Sequence, residues 1–165
     1  MLCRAYAHRM KRVLPWVLVG LQFGLLVGLA LAAVLPHDRL WPLGTIVGLI
    51  TAVLIVAGVA IAALGVIGLG SSLTASPVPK DDNTLTTTGA YRLVRHPIYT
   101  GLLAAALGLV CLAGSVLSIV LWVALLVLLS VKARWEERML VASHPGYREY
   151  GAVTGRFVPA IGRLR

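Results

Sequence analysis

A chain of 165 residues that is 59% hydrophobic and 13% charged, with 17 glycines, lies outside the composition of ordinary soluble domains and reads as an integral membrane protein, expected in the cytoplasmic membrane. Its formal charge of +9 does not point to nucleic acid, because no base-reading module is present and the basic residues flank apolar runs, where orientation and anionic headgroups account for them. Cys3 and Cys111 fall toward opposite membrane faces in the topology derived below, which argues against a structural disulfide.

The first apolar run, residues 13–35, covers the roughly 30 Å hydrocarbon layer at about 1.5 Å per residue. Its basic start (Arg4, Arg9, Lys11, Arg12) and the small residues Ala30-Leu31-Ala32 also resemble a secretory signal peptide with a cleavage site. The run exceeds the usual signal core of about 7–15 residues, and Gly20, Gly24 and Gly28 recur every fourth position as on a close-packing helix face, so a retained span is expected. Glycine-rich faces of this kind admit a homo-oligomer. Pro36, His37, Asp38, Arg39 and Pro42 mark a short turn into a second span at 43–69, where Gly44 and Gly48 continue the small-residue theme.

Residues 71–88, with Pro77, Pro79, Asp81, Asp82 and three consecutive threonines, read as a connector that breaks helix. Pro97 suits the first turn of a helix and biases His96 toward extended backbone, so the chain should leave the connector there and enter the next span. The apolar stretch 98–131 would be about 50 Å long as one helix, too long for the bilayer; Ala113-Gly114-Ser115 near its middle is expected to close a helical hairpin with spans at 98–113 and 115–131. With both termini and the connector in the cytosol, every Lys and Arg except Arg39 lies inside, whereas an unbroken third helix would export the basic tail. The expected architecture is therefore all-α: a single polytopic membrane domain over 1–165, four transmembrane helices, the last two a hairpin, and a cytosolic C-terminal flap.

Between 85 and 159 polar side chains cluster on both sides of a long apolar stretch, and polar groups placed where hydrocarbon meets water mark a site. Leu85-Thr86-Thr87-Thr88-Gly89-Ala90-Tyr91, Arg95-His96-Pro97-Ile98-Tyr99-Thr100-Gly101, an apolar hairpin, Glu136-Glu137 with Leu140, Tyr147 and Tyr150, and finally residues 156–159 follow in an order that resembles the integral-membrane methyltransferases related to isoprenylcysteine carboxyl methyltransferase and the phospholipid N-methyltransferases. The resemblance covers roughly the C-terminal half, while the N-terminal half matches only as apolar spans. One departure is His144-Pro145-Gly146, which replaces the aromatic-glycine turn usual between the glutamates and the tail tyrosines.

This resemblance implies S-adenosylmethionine as cofactor, bound at the cytosolic face by residues 83–159, and a lipophilic acceptor arriving from the bilayer: an isoprenoid or prenyl-type carboxylate, or a phospholipid amine. It implies cofactor contacts from Thr84, Leu85, Thr86, Tyr91, Arg95, His96, Pro97, Ile98, Tyr99 and Glu136. It also implies a basic substrate contact just before the glutamates, at Lys132 or Arg134. A carboxylate acceptor needs no general base, whereas an ammonium must first lose a proton, for which Glu137 is a candidate. Adjacent helix residues point about 100° apart, so Glu136 and Glu137 are expected to have different tasks, with Glu137 otherwise supporting an arginine or the packing. Two rival readings stand beside this one: a nicotinamide-dependent membrane lipid reductase, and a non-catalytic packing or lipid-binding module in which the Gly20, Gly24, Gly28 stripe matters more than His96 or Glu136. Four histidines and two cysteines form no metal-ligand pattern.

Overall fold

The computed structural model describes residues 2–70 and 85–164, with side chains from Leu14 onward. The described residues form five α-helices, α1 (Leu2–Val34), α2 (Thr45–Leu69), α3 (Pro97–Ala113), α4 (Val116–Ser143) and α5 (Tyr147–Val153), and a 3-10 turn at Gly89–Arg92 precedes α3. Among the described residues there is no strand, only one isolated parallel bridge between Val94 and Gly155. By length and composition, Leu14–Val34, Thr45–Leu69 and Val116–Ser143 are apolar enough to cross a membrane. At 17 residues, α3 is about 25 Å long, the lower end of what spans a bilayer.

The break between α3 and α4 falls where the sequence places it. Gly114 adopts the left-handed conformation (φ 62°) that ends a helix at little cost for glycine, and Ser115 restarts the chain by accepting a hydrogen bond from Ser118 N at 3.2 Å. The last carbonyls of α3 have no partner within their own helix, and the α1–α2 turn supplies one for each. Trp41 Nε1 donates to Cys111 O (2.9 Å), Arg39 Nη1 to Leu112 O (3.1 Å) and Leu40 N to Gly114 O (2.7 Å), and His37 Nε2 lies 2.7 Å from Ala113 O. Both reversals therefore sit at one end of the bundle, and the start of α3 with the end of α4 sits at the other.

Leu29 of α1, Leu103, Ala106 and Val110 of α3, and Leu125 and Leu129 of α4 form the buried core. Opposite this core α2 packs against α3 along a seam of small residues. A Cβ on Gly58 would lie 2.6 Å from Gly101 O and 2.9 Å from Ala105 Cβ, and one on Gly65 would lie 2.8 Å from Ile98 Cγ1. Nothing larger than hydrogen fits at these crossings. The glycines that pack closely are thus Gly58, Gly65, Gly101 and Gly108, whereas Gly20, Gly24, Gly44 and Gly48 have open space around them and Gly28 touches only Leu121. The remainder of α2 is apolar and mostly exposed, with only Thr51, Gly58 and Gly65 buried.

Candidate active site

Polar side chains from three helices and the tail converge where α3 begins. Pro97 occupies the first helical position, and His96 just before it has non-helical backbone (φ −127°, ψ 64°). From there the His96 and Tyr99 rings stack with centroids 5.3 Å apart and planes 1° off parallel. Phe157 of the tail meets both edge-on, at 6.1 and 6.4 Å. The Tyr99 hydroxyl donates to Glu136 Oε1 at 2.5 Å, and His96 Nδ1 lies 3.5 Å from Glu136 Oε2. His96 Nε2 is 3.3 Å from Glu137 Oε1 but out of line for a hydrogen bond, leaving a buried ring nitrogen without a hydrogen-bond partner.

One turn earlier on α4, Lys132 points the same way as Glu136, as positions four apart must. Its ammonium sits 5.1 Å from the Tyr99 ring centroid and donates to Gln22 Oε1 of α1 at 3.1 Å, with both side chains buried. Gln22, Lys132, Tyr99, Glu136 and His96 form one continuous polar chain through the bundle. Gln22 is the residue that the motif pattern does not supply. Its signal in the sequence is a lone amide within an apolar span, where an unpaired polar group is costly.

Glu137, about 100° around the helix, has a different set of partners. Arg95 gives it Nε at 2.9 Å and Nη2 at 2.8 Å, and Arg156 gives it Nη2 at 2.7 Å and Nε at 3.1 and 3.2 Å. The other Arg95 hydrogens go to Gly151 O (3.0 Å), Gly162 O (2.8 Å) and Thr154 O. All five guanidinium donors are thereby used inside the chain. The tail is held by backbone as well: Arg95 N donates to Gly155 O (2.8 Å), His96 N to Arg156 O (3.2 Å), and the Thr100 hydroxyl to Phe157 O (2.8 Å).

Tyr91 is a pin between elements. Its hydroxyl donates to Gly65 O on α2 at 3.3 Å, and its own carbonyl accepts from the Tyr150 hydroxyl at 2.5 Å. Burial pushes the Tyr91 and Tyr147 phenols well above their ordinary range and Tyr150 up to about 12, despite the nearby Arg95 cation in the last case, so all three remain protonated at neutral pH. Pro97 and Ile98 lie against Gly65, packing on α2. Leu85 and Thr86 are half-buried on the approach to the 3-10 turn; Thr84 lies outside the described residues. Arg134 is exposed and, with Arg138, Arg148 and Arg156, lines an open groove of ≈ 640 Å³ on the other side of α4. The structure thus gathers His96, Tyr99, Lys132 and Glu136, joins Arg95 to Glu137 in a separate cluster beside them, and sets Arg134 apart.

Fold and site together define a helical membrane protein with a polar centre built at one end from α1, α3, α4 and the tail. The chain belongs to the phospholipid methyltransferase family, whose model matches residues 46–145. That range includes His96, Tyr99, Lys132, Glu136 and Glu137, and leaves out Gln22 and the tail. The chain is also 30% identical over 154 residues to CzcN of Cupriavidus metallidurans, named a cobalt-zinc-cadmium resistance protein, with 93% of this chain and 63% of that relative aligned. It therefore spans less than two thirds of the relative's length.

Proposed function

We propose that the chain is an S-adenosylmethionine-dependent methyltransferase acting on a lipophilic acceptor at the cytosolic face of the membrane. In this reading α1 to α4 all span the bilayer, both termini are cytosolic, and the tail is a flap over the site. The observation that carries the proposal is the convergence of buried His96 and Lys132 with half-buried Tyr99 and Glu136 at one end of the bundle, within the family-matched region. Their chemistry fits the cofactor. Glu136 Oε2 accepts no hydrogen bond, its neighbour being His96 Nδ1 at 3.5 Å, and so offers a cation, sulfonium or ammonium, a carboxylate oxygen. His96 Nε2 has hydrogen-bonding capacity unspent.

When bound, the cofactor supplies an electrophilic methyl group on a sulfonium, and no nucleophilic side chain is needed. What remains for the chain is alignment and exclusion of water. Phe157 and the tail backbone, hydrogen-bonded to Thr100 and His96, close the site from solvent. With one donor spent on Gln22, Lys132 retains two N–H groups for an anionic oxygen of the acceptor, whether an isoprenoid carboxylate or a phospholipid phosphate. Arg95 and Glu137 act as positioning residues that fix the tail to α3, because the donors of one and the oxygens of the other are engaged within the chain.

Calorimetric titration of detergent-purified protein tests the reading, with S-adenosylmethionine as ligand and NADPH as comparison. Saturable binding of S-adenosylmethionine alone, weakened tenfold or more in His96→Ala and Glu136→Gln, is the expected result. Labelled-methyl transfer into a membrane lipid extract then identifies the acceptor class. No binding by folded wild type in detergent or in lipid nanodiscs refutes the proposal, and NADPH binding points to a reductase. Similarity to a cobalt-zinc-cadmium resistance protein makes growth on those metals the phenotype to score in a deletion strain.

A further inference from the structure

Arg134 belongs to a second arrangement, outside the cluster of His96, Tyr99, Lys132 and Glu136. On α4, Arg134, Arg138 and Val141 face away from Lys132 and Glu136 by roughly half a turn at 100° per residue, and toward Arg148 of α5 and Leu164 of the tail. The groove between them has a volume of ≈ 640 Å³, within the range of small-molecule sites. Arg134 and Arg138 stand four residues apart, a like-charge pair that repels on a helix surface, and Arg148 adds a third cation from across the groove. Two carboxylates also line it. Glu137 is already engaged with Arg95 and Arg156, and Glu149 makes no ion pair within 4 Å. Among the described residues, Arg134, Arg138 and Arg148 have no hydrogen-bonded or ion-paired acidic partner. Arg156, the fourth, spends Nε and one Nη2 hydrogen on Glu137 and keeps its Nη1 donors.

We propose that this groove is a phosphate-binding site, distinct from the cluster of His96, Tyr99, Lys132 and Glu136, that takes the phosphate of an anionic phospholipid headgroup. Planar guanidinium forks match phosphate oxygens in pairs, and several of them converging on one groove favour a doubly or singly charged tetrahedral oxyanion over a lone carboxylate. Val141 and Leu164 give the groove an apolar edge suited to the glycerol and first acyl carbons. It lies just beyond Val131, where the apolar run of α4 ends, and if α4 spans the bilayer that end meets the headgroups. The site stands on the groove's own residues, whether or not the chain transfers methyl groups.

The test uses the full chain, purified in detergent and stripped of lipid, titrated with dioctanoyl phosphatidylglycerol, dioctanoyl phosphatidylcholine and inorganic phosphate. Arg138→Ala/Arg148→Ala removes groove cations, and Arg92→Ala/Arg163→Ala removes the same charge from exposed positions that do not line it. The expected result is saturable binding of phosphatidylglycerol, at least tenfold weaker in the groove variant and within twofold of wild type in the control, with phosphatidylcholine weaker than phosphatidylglycerol. Arg138→Lys/Arg148→Lys, which keeps the charge but not the fork, should fall between and serves if the alanine pair fails to fold. Inorganic phosphate that binds with the same variant dependence while the lipid does not assigns the site to a soluble phosphate. No saturable binding of any ligand by folded wild type overturns the proposal, as does equal weakening in groove and control variants, which marks diffuse surface charge.

Discussion

Glu136→Gln and Glu137→Gln change one atom each in adjacent residues, yet the structure assigns the two changes different consequences. The Arg95 side chain is fully buried and its ion pair with Glu137 leaves the carboxylate only 4% exposed. Neutralising Glu137 strands that guanidinium, and breaking a buried pair by removing one partner costs about 3–5 kcal/mol. Arg156, whose side chain is 19% exposed, can turn to water, which places the expected loss near the lower end, about 3 kcal/mol. For a chain of this size, that lowers the melting temperature by roughly 10 °C. Glu136 is held by one hydroxyl, from Tyr99, and its amide keeps a neutral hydrogen bond there, a loss of about 1 kcal/mol and a few degrees. Binding should show the reverse order, with Glu136→Gln losing S-adenosylmethionine affinity at a nearly native melting temperature. Tryptophan-fluorescence melts in detergent and calorimetry on the same samples measure both quantities. A Glu137→Gln protein that melts within 2 °C of wild type, or a Glu136→Gln protein that melts lower than Glu137→Gln, refutes the division of labour.

The glycine seam gives a second contrast. Gly101→Ala puts a Cβ within about 2.8 Å of Ala62 Cβ and against the Gly58 carbonyl, so the helices must part, with an expected loss of about 3 kcal/mol or more. Gly20→Ala meets nothing within 4 Å and should be neutral or gain roughly 0.5–1 kcal/mol of helix stability; a melt in the opposite order refutes the seam. Gln22→Leu and Lys132→Met should each slow methyl transfer into a lipid extract about tenfold while leaving S-adenosylmethionine binding within twofold. Their combination should be no worse than the poorer single change, since each removes the same contact; multiplying effects mean that the two act separately. Trp41→Phe removes the donor to Cys111 O at the end of α3 and should cost about 1 kcal/mol in a thermal melt without affecting cofactor affinity.

Local chemistry made much of this molecule readable in one dimension. The apolar runs around 13–35, 43–69 and 98–131 needed only hydropathy and bilayer thickness, and each contains a helix of the bundle. Gly114 and Ser115 marked the α3–α4 break because a left-handed cap and an N-cap are properties of the residues at those positions. Pro97 fixed the start of α3 for the same reason. The separation of Glu136 from Glu137 followed from the 100° step of a helix, although that step does not say which residue meets the arginines.

Which glycines would pack was not readable. Gly20, Gly24 and Gly28 have the spacing of an interface, but α1 leaves Gly20 and Gly24 exposed and sets Gly28 only against Leu121, and the close crossings use Gly58, Gly65, Gly101 and Gly108. Spacing defines a stripe; only the neighbouring helix decides whether it is buried. Lys132 and Arg134 are equivalent on paper, and the rotation of α4 against α1 and α3 sends one to Gln22 and the other to the groove. The sequence by itself determined that this is an all-helical membrane chain with its polar residues near the start of α3 and the end of α4, because hydropathy and turn geometry act over a few residues. Tertiary structure alone decided that Gln22 meets Lys132 across 110 positions and that three backbone carbonyls of residues 151–162 hold Arg95, because such contacts depend on how whole helices are rotated and docked.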